Sequence, residues 1–142
     1  MELKVRRLEP PEAALAASVV RTFAAKEVSV ADLKKFLSNP ANYLIVAEMD
    51  GELAGFLLAH ALERLKEASR KMFIYEIEVK ASCRRQGVGT ALIRYVRGIV
   101  RREGMMSAFV FTNYSNDGAV KFYQSTGAKV AKGDDLLFVY DG

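Results

Sequence analysis

Two neighbouring stretches of sequence decide the fold: residues 73–79, FIYEIEV, and residues 84–90, RRQGVGT. The first combines β-branched and aromatic residues and is typical of a strand, and apolar residues recur at helical spacing after the second. A helix that begins in a glycine loop directs unpaired N–H groups and the positive end of its macrodipole at that loop, where glycines let a phosphate approach closely. The two stretches therefore predict a diphosphate-binding turn between a strand and a helix.

The spacing of Gly87 and Gly89 narrows this prediction. It matches neither the G-x-x-x-x-G-K-[ST] loop of nucleoside triphosphate sites nor the G-x-G-x-x-G loop of dinucleotide sites. A plain turn at the start of a helix, without a ligand, stays open as the alternative interpretation.

The rest of the chain predicts strands and helices without strict alternation, which indicates a mixed α+β fold and not a doubly wound sheet. Asp50-Gly51 marks a hairpin turn, and Ser29 is a candidate N-cap for a helix that stops at Asn39-Pro40. The other helices are predicted at residues 13–23, 90–102 and 117–125, and the strands at residues 3–7, 43–49, 53–62, 72–79, 108–112 and 136–141.

Composition limits the class of protein. The 142 residues fit one domain, and 51% hydrophobic with 27% charged residues excludes disordered and fibrous chains. No apolar run approaches about 18 residues and no apolar leader follows Met1, so we expect a cytosolic protein without a membrane span. One cysteine, Cys83, and one histidine, His60, predict neither a disulfide nor a metal site. The net charge of +4 favours anionic partners without identifying one.

The order of motifs resembles one superfamily. A basic-x-x-Gly-x-Gly loop at residues 84–89 follows a strand that ends in Ile77-Glu78-Val79, and residues 116–123 read NDGAVKFY. This arrangement resembles the GNAT (Gcn5-related) N-acetyltransferase superfamily over nearly the whole chain. The resemblance implies a single GNAT domain over residues 1–142, with one mixed, mostly antiparallel sheet flanked by about four helices. Within the superfamily, residues 73–79, 84–87, 90–93 and 119–120, with Tyr114 and Asp117, most resemble aminoglycoside 3-N-acetyltransferases of the gentamicin-resistance type.

The resemblance also implies acetyl-CoA as donor and coenzyme A as product. Backbone N–H groups of the glycine loop would hold the pyrophosphate, the end of the preceding strand would pair with the pantetheine arm, and the Val79 N–H would stabilise the oxyanion. The implied cofactor contacts are Ile77, Val79, Arg84, Arg85, Gln86, Gly87, Val88, Gly89, Thr90, Asn116, Ala119, Phe122 and Tyr123.

An amine acetyltransferase must also remove a proton from its acceptor, because an amine with a pKa of about 10.4 is mostly protonated at pH 7. Glu76 and Glu78 are the better candidates, since carboxylates are costly in an apolar strand unless they line an opening. His60 is a chemical alternative, but it alternates with Phe56 and Leu58 and is interpreted as a packed strand residue.

The sequence leaves open which of the two glutamates faces the cleft. It also leaves open the alternative that both face solvent. Strict alternation places them on one face, whereas a bulge, usual for the superfamily in this strand, would separate them. We assign Glu76 as amine ligand and general base, directly or through water, and Glu78 as a second anionic contact. In the resembled subtype an aspartate occupies the position of Glu76, so the register of the acceptor is open. Tyr75 and Asp117 complete the implied substrate contacts.

Tyr123 lies four positions after Ala119 on one face of the last predicted helix, and the resemblance implies that it protonates the leaving thiolate. Core packing is the alternative. Asn116 and Asp117 open that helix, so capping alone would explain them.

Other features are interpreted as structural. The pair Met105-Met106 and the aromatic residues Phe109 and Phe111 are predicted to belong to the core. A basic stripe on the long helix is interpreted as a solvated face, so no nucleic-acid partner is expected: Arg94, Arg97 and Arg101.

Three functions follow from these features. The first is acetylation of a cationic small-molecule amine, with an aminoglycoside as the acceptor. The second is acetylation of a protein or peptide amine, or of a polyamine, by the same fold. The third is a non-catalytic module that binds acetyl-CoA or nucleic acid, against which Tyr123 and Glu76 argue. The sequence leaves homodimer formation and the acetylated position open.

Overall fold

A computed structural model describes residues 2–142. The chain divides into one compact unit that ends at Phe111 and a second that comprises residues 112–142. The first contains the strands β1 (Leu3–Arg7), β2 (Asn42–Met49), β3 (Glu52–Glu63), β4 (Arg70–Val79) and β5 (Ala108–Val110). It also contains the helices α1 (Ala13–Ala24), α2 (Val30–Ser38) and α3 (Val88–Arg102), whereas the second unit contains α4 (Asp117–Ser125).

The strands form one mixed sheet in the order β1-β2-β3-β4-β5. The first four pair in antiparallel fashion, and β5 lies parallel to β4. A mixed, mostly antiparallel five-stranded sheet with four α-helices in residues 2–142 confirms the predicted fold class. No helix in the described part of the chain is long and apolar enough to cross a membrane.

Local signals place most elements as predicted. Asp50 and Gly51 have φ angles of 52° and 84°, and two successive left-handed residues join β2 to β3 in a tight hairpin. Ser29 caps α2, because its hydroxyl oxygen accepts a hydrogen bond of 3.0 Å from the Asp32 N–H. Gly104, with φ of 66°, follows the end of α3.

The core lies on both faces of the central strands, so β2 and β3 are buried along most of their length. On one face Leu44, Val46 and Phe56 pack in a cluster with α1 and α2. On the other face Ile45 and Leu57 are fully buried where α3 contacts β2 and β3, and the buried residues of α3 include Leu92, Val96 and Ile99.

Two predictions about the C-terminal third are wrong. Residues 136–141 form no strand, because their backbone pairs with no other strand within residues 2–142, and the side chains of residues 136–140 are exposed. Met106 and Phe111 are exposed and not part of the core, whereas Met105 is buried and Phe109 is partly buried. β5 also ends at Val110, two residues before its predicted end.

Candidate active site

β4 contains a bulge immediately before its two glutamates. In the ladder between β3 and β4, Leu58 pairs with Glu76 and Ala59 pairs with Ile74, so Tyr75 is an extra residue without a partner. A bulge of this kind bends the strand and changes the direction of a side chain. The alternation of β4 therefore restarts at Glu76.

Glu76 and Glu78 lie on the same face of the sheet. Glu78 pairs with Phe56 and Glu76 with Leu58, and both partners belong to the face on which α1 and α2 pack. Of the two arrangements that the sequence left open, the structure has both glutamates on one face, because the bulge precedes both. Each carboxylate is exposed, and neither forms an ion pair within residues 2–142.

β4 has an open edge over its C-terminal half. β5 pairs only with Met72, Phe73 and Ile74, so residues 75–79 have no neighbouring strand on that side in the described part of the chain. The Lys80 N–H donates to the Ala54 carbonyl on the β3 side, at 2.8 Å.

Hydrogen-bonding groups of paired antiparallel residues alternate between the two edges of a strand. Val79, the residue before Lys80, therefore directs its N–H toward the open edge, and so does Ile77 two residues earlier. These are the two strand residues for which a pantetheine contact is expected.

The loop between β4 and α3 presents backbone amides. Arg85 and Gly87 both have left-handed conformations, with φ of 62° and 81°, and such residues orient successive N–H groups into an anion-binding concavity. Ala91 donates the first helical hydrogen bond of α3, to the Gly87 carbonyl at 3.0 Å. No side chain caps the helix, which leaves three earlier N–H groups for a ligand: Val88, Gly89 and Thr90.

Gly55 lies where β3 meets the end of β4 and the start of α3, and no prediction from the sequence included it. A Cβ atom at Gly55 would lie 2.8 Å from the Glu78 carbonyl oxygen and 3.1 Å from a methyl carbon of Val88. Only glycine allows β3 to lie this close to the end of β4 and the start of α3. No local motif marks this need, because it arises from contacts between distant segments.

The second unit contains the predicted acid. Asn116 caps α4 by accepting a hydrogen bond of 3.1 Å from the Ala119 N–H, as the capping interpretation predicts. Asp117 forms an exposed ion pair with Lys121 at 3.6 Å. Tyr123 is half-buried, with its ring 5.3 Å from that of Phe122, and burial raises the pKa of its phenol. A raised pKa keeps the phenol protonated at neutral pH.

His60 is held in one orientation on β3. The Asn42 amide nitrogen donates to the Phe36 carbonyl at 3.0 Å, so its oxygen, 2.9 Å from Nδ1 of His60, is the acceptor. We therefore assign the proton to Nδ1. Burial lowers the pKa of His60, and its ring packs between those of Phe36 and Tyr75. The packing agrees with the interpretation of His60 as a packed strand residue.

A cavity of about 280 Å³ lies at the other end of β4. Four of its five charged side chains are paired, Arg64 with Glu67 at 3.7 Å and Arg70 with Glu103 at 3.2 Å, whereas Glu63 has no ion pair in residues 2–142. The cavity therefore lies near Arg70, at the opposite end of the strand from Val79. Residues 2–142 contain no cluster of three metal-ligating side chains.

Comparison with known proteins identifies a family. The family model described as Acetyltransferase (GNAT) family matches residues 11–128. The chain is similar to a probable N-acetyltransferase camello of Xenopus laevis, 33% identical over 84 residues, which are 59% of this chain and 37% of the relative. It is 26% identical to N-acetyltransferase family 8 member 2 of Rattus norvegicus over 109 residues, 75% of this chain and 48% of the relative. The chain thus spans less than half the length of these two relatives.

Solved structures share the fold over the whole chain. The aminoglycoside acetyltransferase meta-AAC0020 from an uncultured soil metagenomic sample, in complex with trehalose, has a TM-score of 0.88 and 25% identity, with 99% of this chain and 95% of that chain covered. AAC(6')-Iy in complex with the bisubstrate analogue CoA-S-monomethyl-acetylneamine has a TM-score of 0.83 at 19% identity, and covers 100% and 99% of the two chains. At that identity the second likeness concerns the fold alone.

Proposed function

The chain belongs to the GNAT family of acetyltransferases, and from this premise we propose that it transfers the acetyl group of acetyl-CoA to a primary amine of a cationic small molecule. The acceptor that we propose is an aminoglycoside, acetylated at its 3-amino group by direct attack in a ternary complex. The aminoglycoside acetyltransferase with 25% identity supports this acceptor class.

The open edge of β4 beside the amides of α3 is the observation that carries the proposal. Ile77 and Val79 direct backbone groups to that edge, as an added strand such as a pantetheine arm requires. The loop amides from Arg85 to Thr90 fit a pyrophosphate, and Arg84 is exposed beside them. These groups fit acetyl-CoA, which when bound supplies an acetyl thioester that an amine can attack.

The remaining cofactor contacts stay part of the proposal. Gln86 is fixed by a hydrogen bond of 3.2 Å from its side-chain amide to the Ser82 carbonyl. On α4, we assign Asn116, Ala119 and Phe122 to the cofactor as the family resemblance implies.

In the proposed reaction, Glu76 accepts a proton from the acceptor ammonium, directly or through water. The neutral amine forms a bond to the thioester carbon, and the Val79 N–H stabilises the oxyanion. The carbon–sulfur bond would then break and Tyr123 would donate its proton to the coenzyme A sulfur, while the proton that the new amide nitrogen releases would restore the phenol. Burial raises the pKa of the Tyr123 phenol, so the donor is protonated at neutral pH, as an ordinary phenol also is.

The proposed acceptor contacts are acidic and aromatic. Glu76 and Glu78 share one face and have no ion-pair partner in residues 2–142, so both are available to ammonium groups. Tyr75 lies beside them at the bulge. Asp117, the fourth contact, is the weakest candidate because an exposed ion pair with Lys121 already engages it.

An acceptor screen tests the proposed function. Purified protein with acetyl-CoA is given gentamicin, spermidine or a lysine-containing peptide, and released thiol is measured together with the mass of the product. We expect thiol release with gentamicin and a product acetylated at the 3-amino group, located by NMR. Acetylation at the 6'-amino group would overturn the proposed position. Turnover of only the peptide or the polyamine would overturn the acceptor class.

Gly89→Val is expected to weaken acetyl-CoA binding about 10- to 100-fold, since a branched side chain at the start of α3 would displace a phosphate from the loop amides. Valine is no worse than glycine in a helix, so the fold should persist. Calorimetric titration with acetyl-CoA measures the affinity, and thermal unfolding measures the fold.

Gly98→Val is the matched control in the middle of the same helix. A Cβ there meets only the end of the flexible Arg102 side chain, at 3.4 Å. Its affinity for acetyl-CoA should equal that of the wild type. A folded Gly89→Val protein with unchanged affinity would refute the loop as phosphate site.

A further inference from the structure

Six aromatic rings form a continuous chain of contacts from α2 across β3 and β4 to the end of β5. We call this chain the aromatic surface, and its members are Phe36, His60, Phe73, Tyr75, Phe109 and Phe111. Phe73 pairs with His60 in the sheet. Leu58 lies two residues before His60, on the same face of β3, and its partner in β4 is Glu76. The aromatic surface therefore shares a face with both glutamates.

The centre of this surface is well ordered by strand pairing. Phe73 and Phe109 are directly paired in the β4–β5 register, and their rings stack with centroids 5.0 Å apart and planes 11° apart. The Phe111 ring meets both edge-on, at 5.9 Å and 6.0 Å. The Tyr75 ring, displaced by the bulge, meets Phe73 at 5.7 Å and His60 at 5.9 Å.

The outer members of the surface remain open. Tyr75 is 57% exposed and Phe111 is 63% exposed, although both belong to a connected set of rings. Contiguous exposed apolar patches are uncommon on soluble proteins and mark sites of binding. Packing of a core does not explain them, because a core would bury these rings.

Charge identifies the chemistry of the occupant. Two carboxylates without ion pairs in residues 2–142, Glu76 and Glu78, share the face with the rings. The faces of aromatic rings attract cations, and they also offer flat apolar area to a ring. An ammonium group attached to a ring offers a positive charge to the carboxylates and a flat apolar face to the aromatic rings. An open-chain polyamine offers only the positive charge.

We propose that the aromatic surface receives the ring that carries the reacting amine, so that the enzyme selects ring-borne amines over open-chain amines of equal charge. This inference rests on the proposed amine acetyltransferase function and adds a specificity-determining role for Tyr75 and Phe111. The ring can belong to an amino sugar or to an arylalkyl amine, and the experiment separates the two.

The test uses two pairs of amines with matched charge. Neamine is compared with spermine, and 2-phenylethylamine with n-butylamine, by kcat/KM and by calorimetric binding to the protein saturated with coenzyme A. We expect the ring compound to be preferred in at least one pair, by about 10-fold. Tyr75→Leu and Phe111→Leu, which keep an apolar side chain but remove the ring, should each reduce that preference about 3- to 10-fold.

Tyr140→Leu is the matched control, because Tyr140 is an exposed aromatic residue outside the aromatic surface. It should leave the preference unchanged. If it reduces the preference as Tyr75→Leu does, the chain's own apolar segment at residues 136–140 occupies the surface, and the proposal is overturned. A wild-type dimer that Phe111→Leu converts to a monomer in sedimentation would overturn it too, because the surface would then be an interface between copies.

The two readouts separate this proposal from the proposed function. A preference for neamine alone identifies an amino sugar, and a preference for 2-phenylethylamine alone identifies an arylalkyl amine. Equal binding within both pairs overturns the role of the aromatic surface even if amines are acetylated. Ring-selective binding that Tyr75→Leu reduces supports the surface even if no acetylated product forms, in which case the proposed function fails.

Discussion

Tyr123→Phe is expected to lower kcat by about 10- to 10⁴-fold while acetyl-CoA affinity stays nearly unchanged. The substitution removes one hydroxyl group and keeps the ring that packs beside Phe122. A loss of this size is the contribution of a general acid, because the coenzyme A thiolate would leave without a proton. Burial raises the pKa of the phenol, so wild-type kcat should fall only at a pH above the ordinary phenol value of about 10.

The measurement is steady-state kinetics with a calorimetric titration of acetyl-CoA on the same samples. Tyr140→Phe, at an exposed tyrosine, removes a phenol of equal chemistry and should leave kcat unchanged. If Tyr123→Phe weakens acetyl-CoA binding and leaves kcat intact, Tyr123 is a packing or cofactor residue and the assignment as acid fails.

Glu76→Gln should lower kcat by about 10²- to 10⁴-fold and also raise KM for the amine. Glutamine keeps the shape of the side chain but can neither accept the proton nor neutralise an ammonium group. Loss of the base should also alter the acidic limb of the rate profile between about pH 6 and 9, because without a proton acceptor only amine that is already neutral can react.

Glu78→Gln is the matched comparison, because Glu78 lies on the same face with similar exposure. It should raise KM and leave kcat and the acidic limb nearly as in the wild type, since an exposed charge contributes about 0 to 1 kcal/mol to binding. The reverse pattern, with the large kcat effect at Glu78, would transfer the role of base to that residue.

Local signals account for the parts of the fold that the sequence predicted well. Asp50-Gly51 specifies a hairpin because two left-handed residues are needed, and Ser29 specifies a helix start because its hydroxyl satisfies a free N–H. The glycine loop before α3 is also specified by neighbouring residues in the sequence. Its left-handed residues, Arg85 and Gly87, lie where the motif predicted a phosphate-binding turn.

Features that depend on pairing between distant segments escaped prediction. The place of the bulge at Tyr75 is set by the register of β4 against β3, so the sequence could not decide whether Glu76 and Glu78 share a face. Gly55 is required by the approach of three segments. Phe111 appeared to be a core residue because hydrophobicity alone does not distinguish a buried ring from one in an exposed aromatic surface.

The most direct test of the central claim, that acetyl-CoA binds along the open edge of β4 and at the start of α3, is residue-specific amide hydrogen exchange measured by NMR. Saturation with acetyl-CoA should slow exchange about 10-fold or more at Ile77, Val79 and the loop amides up to Thr90. The outer edge of β1 (Leu3–Arg7), at the other side of the sheet, is the internal control and should not change. Bound acetyl-CoA with unchanged exchange at Val79 and the loop, or equal slowing at β1, would contradict the account.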